Sequence, residues 1–332
     1  MTSYLLLFQL IHFSAALIDS PSQYLSEFGV ITLIVGPEWH MYNLELTTLT
    51  DEIMVFGREC VGRKCLAGRD IVGFYDGPTY DRSGPHKYQP GLESYRFSNV
   101  PLKISSLKFE GNVMVFTPNP KEQLDSHFLE QNTFNIVDGY FPMRFGGLHV
   151  FDSMFKANQS LGRFVTFVPS SPTSASSGLH VGHLPDDLCD TFKPLVIADQ
   201  FIGEVEFDVG LMTNATVRHG GDEKVFNVFL QFGPWYSFSE AFAKWFFGDL
   251  AFKNIPQDDF YKIPEEMKIK ITGLNITIPT TSLFKLTNKV YNVMYKKQKE
   301  ADIGLSQRAI RDKCIRIDKI PKVWMWGLSQ RL

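Results

Sequence analysis

The sequence predicts a mostly β protein with a few short helices, and three observations lead there. Phenylalanine is unusually frequent, at 29 copies in 332 residues, and large aromatic side chains favour strands. Short apolar runs end repeatedly at glycine or proline, as strands do before turns. Apolar and polar residues alternate in several places, the period-two mark of a half-buried strand. Hydrophobic residues make up 44% of the chain and charged residues 21%, enough for a buried core and against wholesale disorder.

The elements follow in chain order. Ile31 to Val35 is an apolar run closed by Gly36-Pro37, a strand and a turn. Tyr42, Leu44 and Leu46 alternate with Asn43, Glu45 and Thr47, and Ile53 to Phe56 is a short apolar strand. The stretch from Gly57 to Pro101, rich in Gly, Pro, Asp and Arg, reads as loop. Strands are expected again at Leu102–Leu107, Val113–Thr117, Glu204–Leu211, Val225–Leu230, Met267–Thr272 and Leu274–Pro279. Two helices are expected. Leu148, Phe151, Met154 and Phe155 share one face, as do Phe238, Phe242, Trp245 and Phe246, with Ser237 or Ser239 as a cap. Such stripes are core far more often than ligand sites. Lys289 to Lys313 is polar and expected to be an exposed helix or loop.

Several function classes are excluded. The net charge of -3, from 33 basic and 36 acidic residues, provides no broad basic surface, so nucleic acid is not an expected partner. No phosphate-binding glycine loop, GxGxxG, HExxH or CxxC is present. Gly304-Leu305-Ser306-Gln307-Arg308 fails the GxSxG pattern at its last position. His180 and His183 stand three apart without a surrounding ligand set. No cofactor and no metal is therefore expected. The GLSQR pentapeptide at Gly304 and Gly327 is too short to define a repeat.

Export is the expected route. Leu5 to Phe13 is an apolar core followed by Ser14-Ala15-Ala16, the pattern of a signal peptide over residues 1–16. The run is too short for a bilayer span of ~20 residues; a buried N-terminal strand or helix is the alternative. No later segment reads as a membrane span. Asn158, Asn214 and Asn275 each open a glycosylation sequon. The four cysteines, Cys60, Cys65, Cys189 and Cys314, permit three pairings. Cys60 with Cys65 closes a small loop and leaves Cys189 with Cys314 as a long-range staple; four buried thiols are the alternative. The expected location is outside the cell or in the endolysosomal lumen.

From Ile34 the chain reads IVGPEWHMYNLELTTLTDEIMVFGREC. This resembles the opening of the pepsin-like aspartic proteases: a strand, a turn, an Asp-Thr-Gly motif, an apolar run and a cysteine. Val137-Asp138-Gly139-Tyr140 is similar to the family's Phe-Asp-Gly-Ile segment. Ser177 to Gly182, Cys189 to Leu195, Val225 to Trp235, Pro264 to Phe284 and Trp324 to Gly327 look like its later segments in order. The resemblance implies two β lobes around a central cleft, over residues 17–197 and 198–332. It makes Ser170 to Ser177 a hairpin loop rather than the linker its composition suggests.

The same resemblance implies a silent cleft. Aspartic proteases need two facing carboxyls that share one proton, one serving as acid and the other as base towards a water. Here Thr47, Thr48 and Leu49 occupy the first motif and Gln231, Phe232 and Gly233 the second, so neither aspartate is present. A register using Asp51 supplies one carboxyl at most, and Asp222 lies too far from Gly233. The flap falls on Ile104 to Gly111, with Ser105, Ser106 and Gly111 but no tyrosine. With Trp324 to Gly327 taken as the segment before the final strands, the second lobe is expected to lack its closing strands. The implied function is a monomeric pseudo-protease that holds a peptide or protein in its cleft. An active endopeptidase with an unrecognised carboxyl pair and a structural glycoprotein are the alternatives.

Overall fold

The computed structural model describes residues 30–36, 40–47, 51–56, 82–89, 92–104, 106–118, 138–143, 148–169, 178–193, 196–197, 211–231, 235–299, 301–310, 312–320 and 323–332. The predicted signal peptide, Thr48, Leu49, Cys60, Cys65, Ser105, Phe232, Gly233 and most of the predicted 204–211 strand lie outside them. The protein is mostly β. The first half supplies β1 (Val30–Val35), β2 (His40–Thr47), β3 (Ile53–Phe56), β4 (Arg82–Gln89), β5 (Leu92–Ile104), β6 (Leu107–Pro118) and β7 (Gly139–Pro142). Helix α1 (His149–Ala157) follows, then β8 (Phe164–Val168), β9 (Gly178–Val181) and β10 (Val196–Ile197).

These first strands make a seven-stranded sheet in the order β1-β2-β7-β3-β6-β5-β4, and β1 also pairs with β5. The extra pairing, Ile34 with Lys103 and Val35 with Leu102, closes six strands into a barrel, which removes open edges. Its interior holds Leu33, Leu44, Val55, Leu102, Val113 and Phe141, all buried. Gly139 sits where β7 crosses β3, and a Cβ there would lie 1.9 Å from the Met54 carbonyl.

The second half supplies β11 (Leu211–His219), β12 (Asp222–Gln231), β13 (Tyr236–Ser239), helix α2 (Glu240–Phe247), β14 (Ile255–Pro256), β15 (Glu266–Ile271) and β16 (Leu274–Pro279). It ends with β17 (Phe284–Thr287), β18 (Val290–Val293), β19 (Tyr295–Gln298), β20 (Ile303–Ser306), β21 (Lys313–Ile320) and β22 (Val323–Gln330). A second barrel-like sheet runs β16-β15-β11-β12-β20-β13-β19, and β14, β18 and β17 form a small third one.

The two large sheets repeat one connectivity. In the first, β2 pairs parallel with β7, β7 antiparallel with β3, and β3 parallel with β6. In the second, β12 pairs parallel with β20, β20 antiparallel with β13, and β13 parallel with β19. The registers agree throughout. Leu44 pairs with Gly139 as Val228 pairs with Ile303, and Val55 opposes Val115 as Phe238 opposes Lys297. Val35 meets Leu102 as Val217 meets Ile269. The hairpin Ile104–Leu107 corresponds to Ile271–Leu274. Where β6 runs unbroken from Leu107 to Pro118, its counterpart divides into β16 and β19, with the small third sheet inserted between them.

A five-stranded sheet, β10-β22-β21-β8-β9, is built from both halves. Hairpins β8–β9 and β21–β22 meet through β8 and β21, Val165 opposite Ile317. Strands β8 and β9 pair antiparallel; Ser170 to Ser177, which separate them in the sequence, lie outside the described residues. Helix α1 lies against this sheet, with Phe151 at 5.9 Å from Phe141, 6.2 Å from Phe167 and 6.4 Å from Trp324.

Several expectations are corrected. Residues 82–89 and 92–101 are strand, not loop, because Tyr95 and Phe97 continue a ladder with Val115 and Val113. Phe238 belongs to β13, and α2 begins only after Ser239, whose Oγ accepts the Phe242 N–H at 3.1 Å. Lys289 to Lys313 contains β18, β19 and β20 rather than an exposed helix or loop. Trp324 to Gly327, expected to precede the final strands, lie within β22, which pairs with β21 and β10. The register makes Asp302 to Ser306 the counterpart of Asp138 to Pro142.

Candidate functional site

The repeat defines a pair of equivalent positions, the C-terminal ends of β2 and β12. Thr47 ends β2 opposite Pro142; it is buried, and its carbonyl accepts the Met143 N–H at 2.6 Å. Gln231 ends β12 opposite Ser306. Sequence reasoning chose these two residues from loose motifs, and the strand registers put them in matching places.

Each strand is braced four residues upstream by the same device. Asp138 Oδ2 accepts the Asn43 N–H at 2.7 Å, while the Asp138 N–H donates to the Asn43 carbonyl at 2.8 Å. Asp302 Oδ2 accepts the Asn227 N–H at 3.0 Å, and the Asp302 N–H donates to the Asn227 carbonyl at 3.0 Å. Asp302 also accepts from Ser239 Oγ at 3.1 Å, which ties the α2 cap to the brace. The sequence offered the matching signal, an Asn in the hairpin's second strand and an Asp opening a short apolar strand, but 95 and 75 residues separate the partners.

The chain after Thr47 is anchored by Glu52, which is 7% exposed and receives Arg96 through both oxygens, at 2.8 and 2.9 Å. Two-point pairing of this kind fixes geometry as well as charge, here between a buried carboxylate and a half-exposed guanidinium. Asp51 precedes it, half-buried. Asp222 begins β12 opposite His219, at the end of the strand away from Gln231.

The segment expected as a flap, Ile104 to Gly111, falls on the β5–β6 hairpin. Ser106 is in its exposed turn, Lys103 beside the turn pairs with β1, and Gly111 pairs with Val100 in mid-strand. This hairpin closes the first barrel. Asn158, Asn214 and Asn275 lie at the end of α1, in β11 and in β16; Asn214 and Asn275 are exposed and Asn158 partly so. Asn158 Oδ1 accepts both the Ser160 N–H and Oγ–H, at 3.1 and 2.6 Å. Cys189 and Cys314 form a disulfide with Cα atoms 6.2 Å apart, packed against Val168 and Leu188. His180 is buried in β9 and His183 exposed.

Beside the Gln231 end lies a pocket of about 500 Å³, which sequence reasoning missed. Trp235, Tyr236, Phe284 and Met294 give it apolar walls, and Lys285 and Arg308 line it too. The Arg308 N–H reaches Ser306 Oγ at 3.2 Å, which links the pocket to the strand paired with β12. Lys296 stands 5.7 Å from the Trp235 ring, and burial holds its ammonium below the ordinary lysine range. The lining residues come from β13, β17 and the segments around Thr281, Met294 and Arg308, far apart in the sequence and without a local sequence signal.

No protein-family model matches the chain, and no curated protein matches it significantly. Among the described residues no helix is long and apolar enough to cross a membrane.

Proposed function

We propose that the protein is a secreted, pepsin-like pseudo-protease that binds a peptide or protein between two β lobes. The observation that carries this reading is the repeated register, in which Thr47 and Gln231 end corresponding strands. A hydroxyl opposite an amide has no titratable proton to share near neutral pH, so this pair cannot generate the acid and base that peptide hydrolysis requires. The closed first sheet, the second sheet of like connectivity and the five-stranded sheet built from both halves support the bilobal reading. In this reading the covering hairpin is β4–β5, which carries Tyr88, and the lobes divide near residue 198. The disulfide Cys189–Cys314 supports an oxidising compartment.

The test is made on the full chain secreted from eukaryotic cells. Immobilised protein is offered a random peptide library, and soluble protein is offered denatured substrate at acid pH. Retention of peptides without cleavage is expected. Cleavage that a pepstatin-type inhibitor stops would restore the endopeptidase, and an empty library would leave a structural glycoprotein.

A further inference from the structure

Resting on the secretion half of that reading, we propose that Asn214 and Asn275 carry N-linked oligosaccharides that share and cover the polar outer face of the second large sheet, above Lys270. The two sequons, Asn214-Ala215-Thr216 and Asn275-Ile276-Thr277, lie in β11 and β16. A strand sends residues i and i+2 to one face, so each asparagine stands beside its own sequon threonine. The residue between them points the other way: Ala215 and Ile276 are only 2% and 3% exposed. Asn214, Asn275 and Thr277 are exposed and Thr216 partly so. A sugar on either amide therefore enters solvent without disturbing the core.

Strand pairing brings the two sites together. Thr216 pairs with Lys270 in β15, and Lys270 pairs with Asn275 in β16. Asn275 is thus two strands across from Thr216, and Asn214 lies two residues along β11 from it, which separates the asparagines by about 12 Å at ordinary strand spacing. Strand β15 alternates strictly: Glu266, Lys268 and Lys270 are exposed, while Met267, Ile269 and Ile271 are buried. The face is accordingly the solvated side of an antiparallel sheet, with Lys270 between the two sequons. Register, and not the sequon itself, places both on one face; the Asn158 sequon ends α1 and stands apart from it. In the transfer, each asparagine Nδ2 bonds to the anomeric carbon of a lipid-diphosphate-linked oligosaccharide, the lipid diphosphate leaves, and the amide gives up one proton.

The full chain is expressed in eukaryotic cells under its own N-terminus and, in parallel, under a foreign signal peptide. Intact mass and peptide mapping are read before and after treatment with an N-glycan amidase. One oligosaccharide is expected to be lost in Asn214→Gln, one in Asn275→Gln and both in the double variant. Thr216→Val and Thr277→Val, which keep each asparagine and a β-branched side chain on the strand, should remove the same ones. Lysine acylation reads the shared cover: Lys270 should react faster once the sugars are removed, while exposed Lys253, beyond α2, should not change. A chain in the medium with either amide bare, or a Lys270 rate that removal of the sugars leaves unchanged, overturns the proposal. Both sugars present under the foreign signal peptide, with the chain kept in the cytosol under its own N-terminus, removes the secretion reading and upholds the covered face.

Discussion

At the scale of single residues, the most informative side chain is Asp302. Its Oδ2 holds the Asn227 N–H at 3.0 Å and its Oδ1 the Ser239 hydroxyl at 3.1 Å, so one carboxylate joins β12 to the α2 cap. Asp138 performs the first of these tasks for Asn43. Replacing Asp302 by alanine leaves a backbone donor and a hydroxyl without their acceptor, at a cost of about 1–3 kcal/mol. Ser239→Ala removes the cap of α2 at about 1 kcal/mol. Because the two residues share a contact, the double variant should lose less than the two single losses combined. Urea denaturation of the three variants measures this, and strict additivity would mean that the Asp302–Ser239 contact contributes nothing.

At the scale of elements, α2 is fastened to β19 through Glu240, which takes Lys244 Nζ at 2.8 Å and Lys297 Nζ at 2.6 Å. These ammonium groups lower its carboxyl from 4.5 to about 2, the Lys244 hydrogen bond contributing most. A carboxyl depressed in the folded state adds stability above its unfolded value and loses it as pH falls through the folded one. Denaturation midpoints should therefore fall less steeply between pH 4.5 and about 2 in Glu240→Gln than in the parent, with the difference shrinking in salt because the group is solvent-exposed. The elements also show what the sequence could reveal. Isolated apolar strands such as Ile53–Phe56 and Leu274–Pro279 were legible within a residue or two, since burial on one or both faces leaves a periodic trace. Strands β4 and β5 were not, because Gly84, Pro85, Pro90 and Gly91 gave their hairpin the composition of a loop while Tyr95 and Phe97 kept its ladder. Strand β19 was hidden by Lys296 and Lys297 on its exposed positions, and β18 and β20 by being only four residues long. In the candidate site, Thr47 and Gln231 were named through the order and spacing of several weakly matching segments, not through a local motif. The pocket at Trp235 and Arg308 was not named, because its walls come from segments dozens of residues apart.

At the scale of the molecule, the repeat is hard to see as sequence identity because pairing register is a property of the backbone; the Asn–Asp braces recur as residues together with a few scattered apolar positions such as Val35 and Val217. What makes one body of the two halves is the five-stranded sheet, in which β8 and β9 come from the first half and β21 and β22 from the second. Trp326 crosses from that sheet to donate its Nε1–H to the Met212 carbonyl at 3.0 Å. The disulfide reinforces the same junction. It joins Cys189, which bridges Arg331 beside β22, to Cys314 in β21, across a sequence separation of 125 residues. A cross-link over so long a loop restricts the unfolded chain and contributes about 2–5 kcal/mol. The Cys189→Ala/Cys314→Ala variant should thus unfold at lower denaturant. Because the paired strands β8 and β21 still tie the halves together, it should do so in one transition seen alike by tryptophan fluorescence and circular dichroism. Two separate transitions in the variant, and one in the parent, would mean that the covalent bond, and not the shared sheet, is what couples the halves.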